Sequence, residues 1–171
     1  MKQFKVLTYP DSLLALGSEP VKEIDQSVQD IINKMTTLMY EAQGIGLAGV
    51  QVGIHKKIVI YDILQKNGQK APQALLNPEI VSSNGVAVSE NEGCLSLPDF
   101  RSNVKRAASV FVTGLDRNGK PVEIEADGLL AMVLQHEIDH LTGILLIDRV
   151  SLLKRGLYKK KIAKQLKHNE L

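Results

Sequence analysis

Residues 126–143 read ADGLLAMVLQHEIDHLTG, a stretch that Asp127 can open as a helix cap and Gly143 can close. Leu129, Leu130, Met132, Val133, Leu134, Ile138 and Leu141 cover most of the circumference between them. A helix apolar on nearly every side lies inside a protein, so the rest of the chain is expected to wrap around this one.

Working outward, Asp25 is placed to cap an earlier helix. Its apolar residues Val28, Ile31, Ile32, Met35, Leu38, Met39 and Ala42 recur every three or four positions before Gly44 stops it. The glycine-rich GIGLAGVQVG follows, and then short runs with β character at 57–63, 74–83, 86–91, 109–115 and 121–126. Asn118-Gly119 between the last two reads as a hairpin turn. Residues 151–168 read as a third helix, with Tyr158, Ile162 and Leu166 as its docking stripe. Short strands between early and late helices predict an α+β fold. Short antiparallel or mixed β-sheets are expected to pack around the central helix of the opening stretch, with one N-terminal and one C-terminal helix. Residues 1–171 are expected to form a single domain, of which 151–171 is a basic C-terminal helix.

The chain has 171 residues, of which 44% are hydrophobic and 23% charged, values that exclude gross disorder and a membrane span. A lone cysteine, Cys94, precludes an internal disulfide, and MKQFKVLTYPDS lacks the apolar core of a secretory signal. A reducing cytoplasm is the expected compartment. The net charge of +2 conceals a segregation, because residues 151–171 hold 7 Lys/Arg against 1 acid.

His136 and His140 lie four apart, on one helical face with Cβ atoms roughly 5–6 Å apart. Buried imidazoles need partners, since an unpaired polar group costs about 1–3 kcal/mol, and a metal would satisfy both. Glu137, about 100° around the helix, can reach a water at such a site without being a ligand. An exposed charged patch is the plainer reading of HEIDH taken alone. A hydrolytic site usually has three protein ligands and one open position. Downstream of His140 only Asp148, His168 and Glu170 are available, and none is convincing. Upstream, EGCLSLP (92–98) presents Cys94, between a glycine that admits close backbone approach and a proline expected to end any strand. Cys94 is taken as the third ligand; a buried core thiol or a nucleophile paired with histidine are the other fates of such a cysteine. Gly44, Gly46 and Gly49 spell G-x-G-x-x-G, but they follow a helix rather than a strand, so dinucleotide binding is rejected even though Asp62 stands near the usual acidic position.

GIGLAGVQ (44–51), EGCLS (92–96) and QHEIDH (135–140), in this order, resemble the peptide deformylase family, and the likeness extends to LTYPDSLL and LDRNGKPVEIEADGLLA. Gly49 departs from the alanine more usual there, which bears on the stiffness of the loop. The resemblance implies hydrolysis of the formyl group from the N-terminal formylmethionine of new polypeptides, with formate released. Glu137 would then be the general base, with Gln51 and the backbone N–H of Leu95 as donors to the developing oxyanion. Gly44, Ile45, Gly46, Glu92, Arg101, Leu129, Met132 and Val133 would receive the substrate, although a surface ion pair is an equal reading of Arg101. One divalent ion per chain is implied, Fe2+ in the cell, with Zn2+, Ni2+ or Co2+ as substitutes. The implied partners are nascent formylmethionyl peptides and the ribosome, met through the basic C-terminal helix, whose charge is otherwise merely solvated. A monomer with no DNA or membrane partner is expected. Two alternatives share the motif: a metallopeptidase cleaving peptide bonds, and a non-enzymatic protein whose Cys/His site is closed by Glu92 or Asp139.

Overall fold

The first helix, α1 (Gln26–Glu41), begins where Asp25 accepts a hydrogen bond from the Val28 N–H at 3.1 Å. In this computed structural model, which describes residues 4–64 and 68–169, α1 buries the stripe Val28, Ile32, Met35 and Met39. It ends three residues before the predicted stop. Gln43, at φ 56°, makes the left-handed turn, and the Gly44 N–H returns to the Met39 carbonyl at 2.9 Å.

The strands are β1 (Gly46–Ala48), β2 (Ile58–Tyr61), β3 (Gln73–Asn84), β4 (Ala87–Cys94), β5 (Leu97–Arg106), β6 (Ser109–Leu115) and β7 (Pro121–Asp127). Five of them form one antiparallel sheet in the order β1-β2-β3-β6-β7. Successive strand residues face opposite ways, and that alternation divides the core. Ile58, Ile60 and Leu76 join the cluster on α1. Val59 packs with Leu141, and Leu75 with Leu134, on the other face, where α2 (Gly128–Leu141) lies.

Of two predicted local signals, the Asn118-Gly119 hairpin turn is present, with Gly119 at φ 82°, and the Asp127 cap is not. Asp127 stands at the start of α2 but makes no side-chain capping bond; Gly128, at φ 50°, turns the chain from β7 straight into the helix. The β6–β7 connection spans 116–120 and is organised by Asp116, whose Oδ1 accepts from the Asn118 and Lys120 N–H groups at 2.7 and 2.9 Å. Gly143 does close α2, at φ 77°, and a side chain there would strike the Ala15 carbonyl.

The second sheet pairs β4 with β5, and its second strand falls where no strand was predicted. Pro98, expected to end a strand, is the second residue of β5, in the irregular stretch between the Cys94–Leu97 and Gly93–Arg101 pairs. Inward positions of β5 include Ser102 and Arg106 beside Leu97, Phe100 and Val104. Polar residues on the buried face hide the alternation from a hydropathy reading.

The last helix, α3 (Leu152–Asn169), docks Tyr158 and Ile162 against Leu97, Phe100, Val104 and Leu145–Ile147. Leu166, assigned to the same stripe, is exposed. Among the described residues no helix is long and apolar enough to cross a membrane.

Candidate metal centre

Two elements meet at one point. β4 ends at Cys94, and α2 carries His136 and His140 on the face turned toward it. Their ligand atoms all lie within 4.8 Å of one another. Cys94 Sγ is 3.3 Å from His140 Nε2, which is 3.2 Å from His136 Nε2. Ligand bonds of about 2.0–2.3 Å at tetrahedral angles place neighbouring donors roughly 3.3–3.8 Å apart, so this set fits one divalent ion. Among the described residues no fourth ligand atom joins the cluster. The residues considered for closing it are committed elsewhere: Glu92 to Arg106 and His136, Asp139 to Arg106 and Arg149. Asp148 accepts from the Leu145 N–H, His168 is exposed on α3, and Glu170 lies outside the described residues.

The two histidines differ in what surrounds them. His136 Nδ1 donates to Glu92 Oε1 at 2.6 Å, which leaves Nε2 facing the site. Burial pulls its pKa down, but Cys94 and Glu92 outweigh this and hold it above the ordinary value. Burial and the neighbouring His136 and Arg106 charges push His140 well below, toward the neutral form a ligand needs. Glu92 is held at about 2: burial opposes ionisation, and bonds from Arg106 and His136 overcome it.

Glu137 is buried beside the ligands, and its Oε2 has no hydrogen-bond partner among the described residues. Burial raises its pKa to about 7, the range a group needs to take and return protons near neutrality. Gly46 makes room for it, since a Cβ there would lie 2.8 Å from the Glu137 Cδ. Gln51 sits in the 3-10 turn Gly49–Val52 with its Oε1 on the Ala48 N–H at 2.8 Å. Its Nε2 therefore points to Ser96 Oγ at 3.1 Å and, at 3.7 Å, to Cys94 Sγ. Gly49 is buried in the same turn, where a Cβ would meet the Ile54 and Lys56 carbonyls at 2.7 and 2.9 Å.

A cavity of about 530 Å³ opens over these groups. Gly44, Ile45 and Gly46 form one wall, Glu92, Cys94, Leu95 and Arg101 a second, and Leu129, Met132, Val133 and His136 a third. Leu95 occupies the turn after Cys94, and its side chain packs on Gly44, where a Cβ would come within 2.7 Å of Leu95 Cδ1. Arg101 is exposed and donates to the Asn91 carbonyl at 3.3 Å. Asp62 is not among the cavity's lining residues; its carboxylate accepts from the Tyr40 hydroxyl and the Ala71 N–H. Arg106 and Ser96 went unread as site residues. Ser96 at least lies inside the EGCLS block, whereas Arg106 carries no local signal.

An open three-ligand site beside a buried carboxylate, floored by a helix and walled by two β segments, defines a metal-dependent hydrolase. Residues 3–156 match the family model described as polypeptide deformylase. The peptide deformylase of Desulfosudis oleivorans is 49% identical over 167 residues, covering 98% of this chain and 96% of its own. That of Thermodesulfovibrio yellowstonii is 50% identical over 161 residues, covering 94% and 97%. The crystal structure of a peptide deformylase from Legionella pneumophila superposes with a TM-score of 0.88 at 44% identity, over 97% of this chain and 96% of the other. The chain belongs to the polypeptide deformylase family. It is an amide hydrolase that removes the formyl group from the N-terminal formylmethionine of newly made polypeptides. Neither the peptidase nor the non-enzymatic alternative is supported.

Proposed function

We propose that Cys94, His136 and His140 hold one divalent ion, Fe2+ in the cell, with Zn2+, Ni2+ or Co2+ as substitutes, and that Glu137 is the general base. The buried Glu137 Oε2, without a partner among the described residues and beside three converging ligand atoms, carries this reading. One thiolate with two imidazoles suits all four metals. When bound, such an ion supplies Lewis acidity, lowering the pKa of water and polarising a carbonyl oxygen.

The chain's own residues do the rest. Glu137 takes a proton from the attacking water as the C–O bond forms, then delivers it to the nitrogen as the C–N bond breaks, so that a neutral amine departs with formate. Gln51 Nε2 and the Leu95 N–H donate to the carbonyl oxygen as negative charge grows on it. Because Ala48 holds the amide oxygen, the Gln51 NH2 is already turned toward the site and needs no reorganisation. The peptide backbone lies along Gly44–Gly46, with methionine entering toward Leu129, Met132 and Val133, and with Arg101 and Glu92 at the opposite wall. A peptide deformylase from Synechococcus elongatus, 37% identical with a TM-score of 0.88, was crystallised in complex with actinonin, which supports a ligand at the equivalent cleft.

Residues 1–171 act as one catalytic domain, a monomer in the bacterial cytoplasm. The basic face of α3, with Lys159, Lys160, Lys161, Lys164 and Lys167, meets ribosomal RNA where nascent chains emerge. Formate release from formyl-Met-Ala-Ser tests the reaction, and full activity in a metal-loaded Glu137→Ala protein removes the base assignment. Metal analysis of protein purified without oxygen tests the ion, with zinc at full occupancy overturning iron. Ribosome co-sedimentation at low salt that survives truncation after Val150 ends the ribosome reading, and sedimentation velocity decides the oligomeric state.

A further inference from the structure

We infer that Arg106, a residue outside the cavity, is a positioning residue for the metal centre: it locks Glu92 onto His136 and grips the ligand-bearing helix through Asp139. This inference rests on the assignment of Cys94, His136 and His140 as ligands. Arg106 projects inward from the end of β5 with its side chain only 3% exposed. Its Nε donates to Glu92 Oε2 at 2.9 Å and its Nη2 to Glu92 Oε1 at 2.6 Å, a two-pronged grip on one carboxylate. That same Oε1 receives His136 Nδ1 at 2.6 Å, so the oxygen that orients the imidazole is itself held by the guanidinium. The third nitrogen, Nη1, donates to Asp139 Oδ2 at 3.1 Å. Asp139 stands on α2 between the two histidine ligands, and Arg149 clamps it from the outer side with an Nε bond of 3.0 Å.

A lysine cannot reproduce this geometry, because a point charge cannot serve one carboxylate twice and a second once. Without Arg106, Glu92 loses both bonds that fix its plane, and His136 loses a rigid acceptor for Nδ1. His140 offers no substitute, since its Nδ1 has no partner among the described residues. Partners that orient ligating histidines typically contribute about 10- to 100-fold in metal affinity.

The test uses the full chain loaded with Co2+, with affinity read by chelator competition and geometry by the visible absorption bands of cobalt. Arg106→Met is expected to weaken Co2+ binding about 10- to 100-fold and to move the visible bands, with Arg106→Lys in between. Glu92→Gln should weaken it similarly, and the Arg106→Met/Glu92→Gln double variant should bind no worse than the weaker single variant. Should the methionine variant fail to fold, the lysine variant carries the same comparison. Affinity within twofold of wild type with unmoved bands, or single effects that multiply in the double variant, overturns the inference. So does a lowered unfolding midpoint of the metal-free protein with affinity kept, the mark of a purely structural clamp. Wild-type protein that binds Co2+ without a thiolate-to-cobalt absorption defeats the ligand assignment and the inference with it; normal wild-type binding with unaffected variants defeats the inference alone.

Discussion

Helices α2 and α3 are close in length and opposite in use. α2 buries Ala131, Val133, Leu134 and Leu141 together with His136, Glu137 and His140, so its polar residues sit where water is scarce. α3 buries Tyr158 and Ile162 and leaves Leu152, Leu153, Leu157 and Leu166 exposed among its lysines. In a low-dielectric interior each hydrogen bond and charge is stronger, and each unpaired one is costlier. The chemistry therefore resides on the helix whose polar residues are buried, while α3 docks through Tyr158 and Ile162 and turns its lysines outward.

That contrast can be broken at several levels. Stripping the metal with a chelator should abolish formate release and adding a divalent ion should restore it; residual activity in metal-free protein would separate the reaction from the α2 ligands altogether. Glu137→Gln with the metal retained should lower kcat by about 10²- to 10⁴-fold, the usual worth of a positioned acid–base group, in a steady-state formate assay. Leu134→Ala, which empties a fully buried site between α2 and the sheet, should cost about 2–5 kcal/mol in urea unfolding. Leu157→Ala on α3 should stay within about 0.5 kcal/mol in the same assay, since that side chain is 60% exposed.

A pH-dependent effect concerns the cap of α1. Hydrogen bonds from Ser27 and Val28 hold the Asp25 carboxyl below its ordinary value of 3.8. A depressed acid contributes stability above its unfolded pKa and loses it as pH falls through the folded one. Asp25→Ala should therefore lower the melting temperature at pH 7, and the gap from wild type should close as the solution is taken well below pH 3.8.

Much of this could be read along the chain. The α1 stripe and its Asp25 cap, the extent of β6, and the Gly143 stop are local, because each follows from side chains within a turn or two of one another. The ligand pair His136 and His140 is local too, because helical spacing alone puts both on one face. β5 was not legible: Ser102 and Arg106 occupy inward positions where hydropathy expects apolar residues, and only the acceptors Glu92 and Asp139 explain the arginine. Glu92 lines the cavity, and its carboxylate is also taken up by Arg106 and His136, a link between segments that no local signal announces. The Leu166 exposure and the unused Asp127 cap depend likewise on what packs nearby.

By itself the sequence determined the three helices and the extended segments other than β1 and β5, which helix must lie inside, and which side chains have the chemistry of a metal site. Periodicity, caps and donor types are properties of neighbouring residues, and they survive without the fold. The tertiary structure alone decided that a sulfur 42 residues before the first histidine closes on both imidazoles. It also decided that Arg106 stands behind them and that Glu137 Oε2 has no partner among the described residues. Those relations depend on the register of β4 with β5 and the seat of α2 on the sheet, which are set by packing between segments distant in the chain.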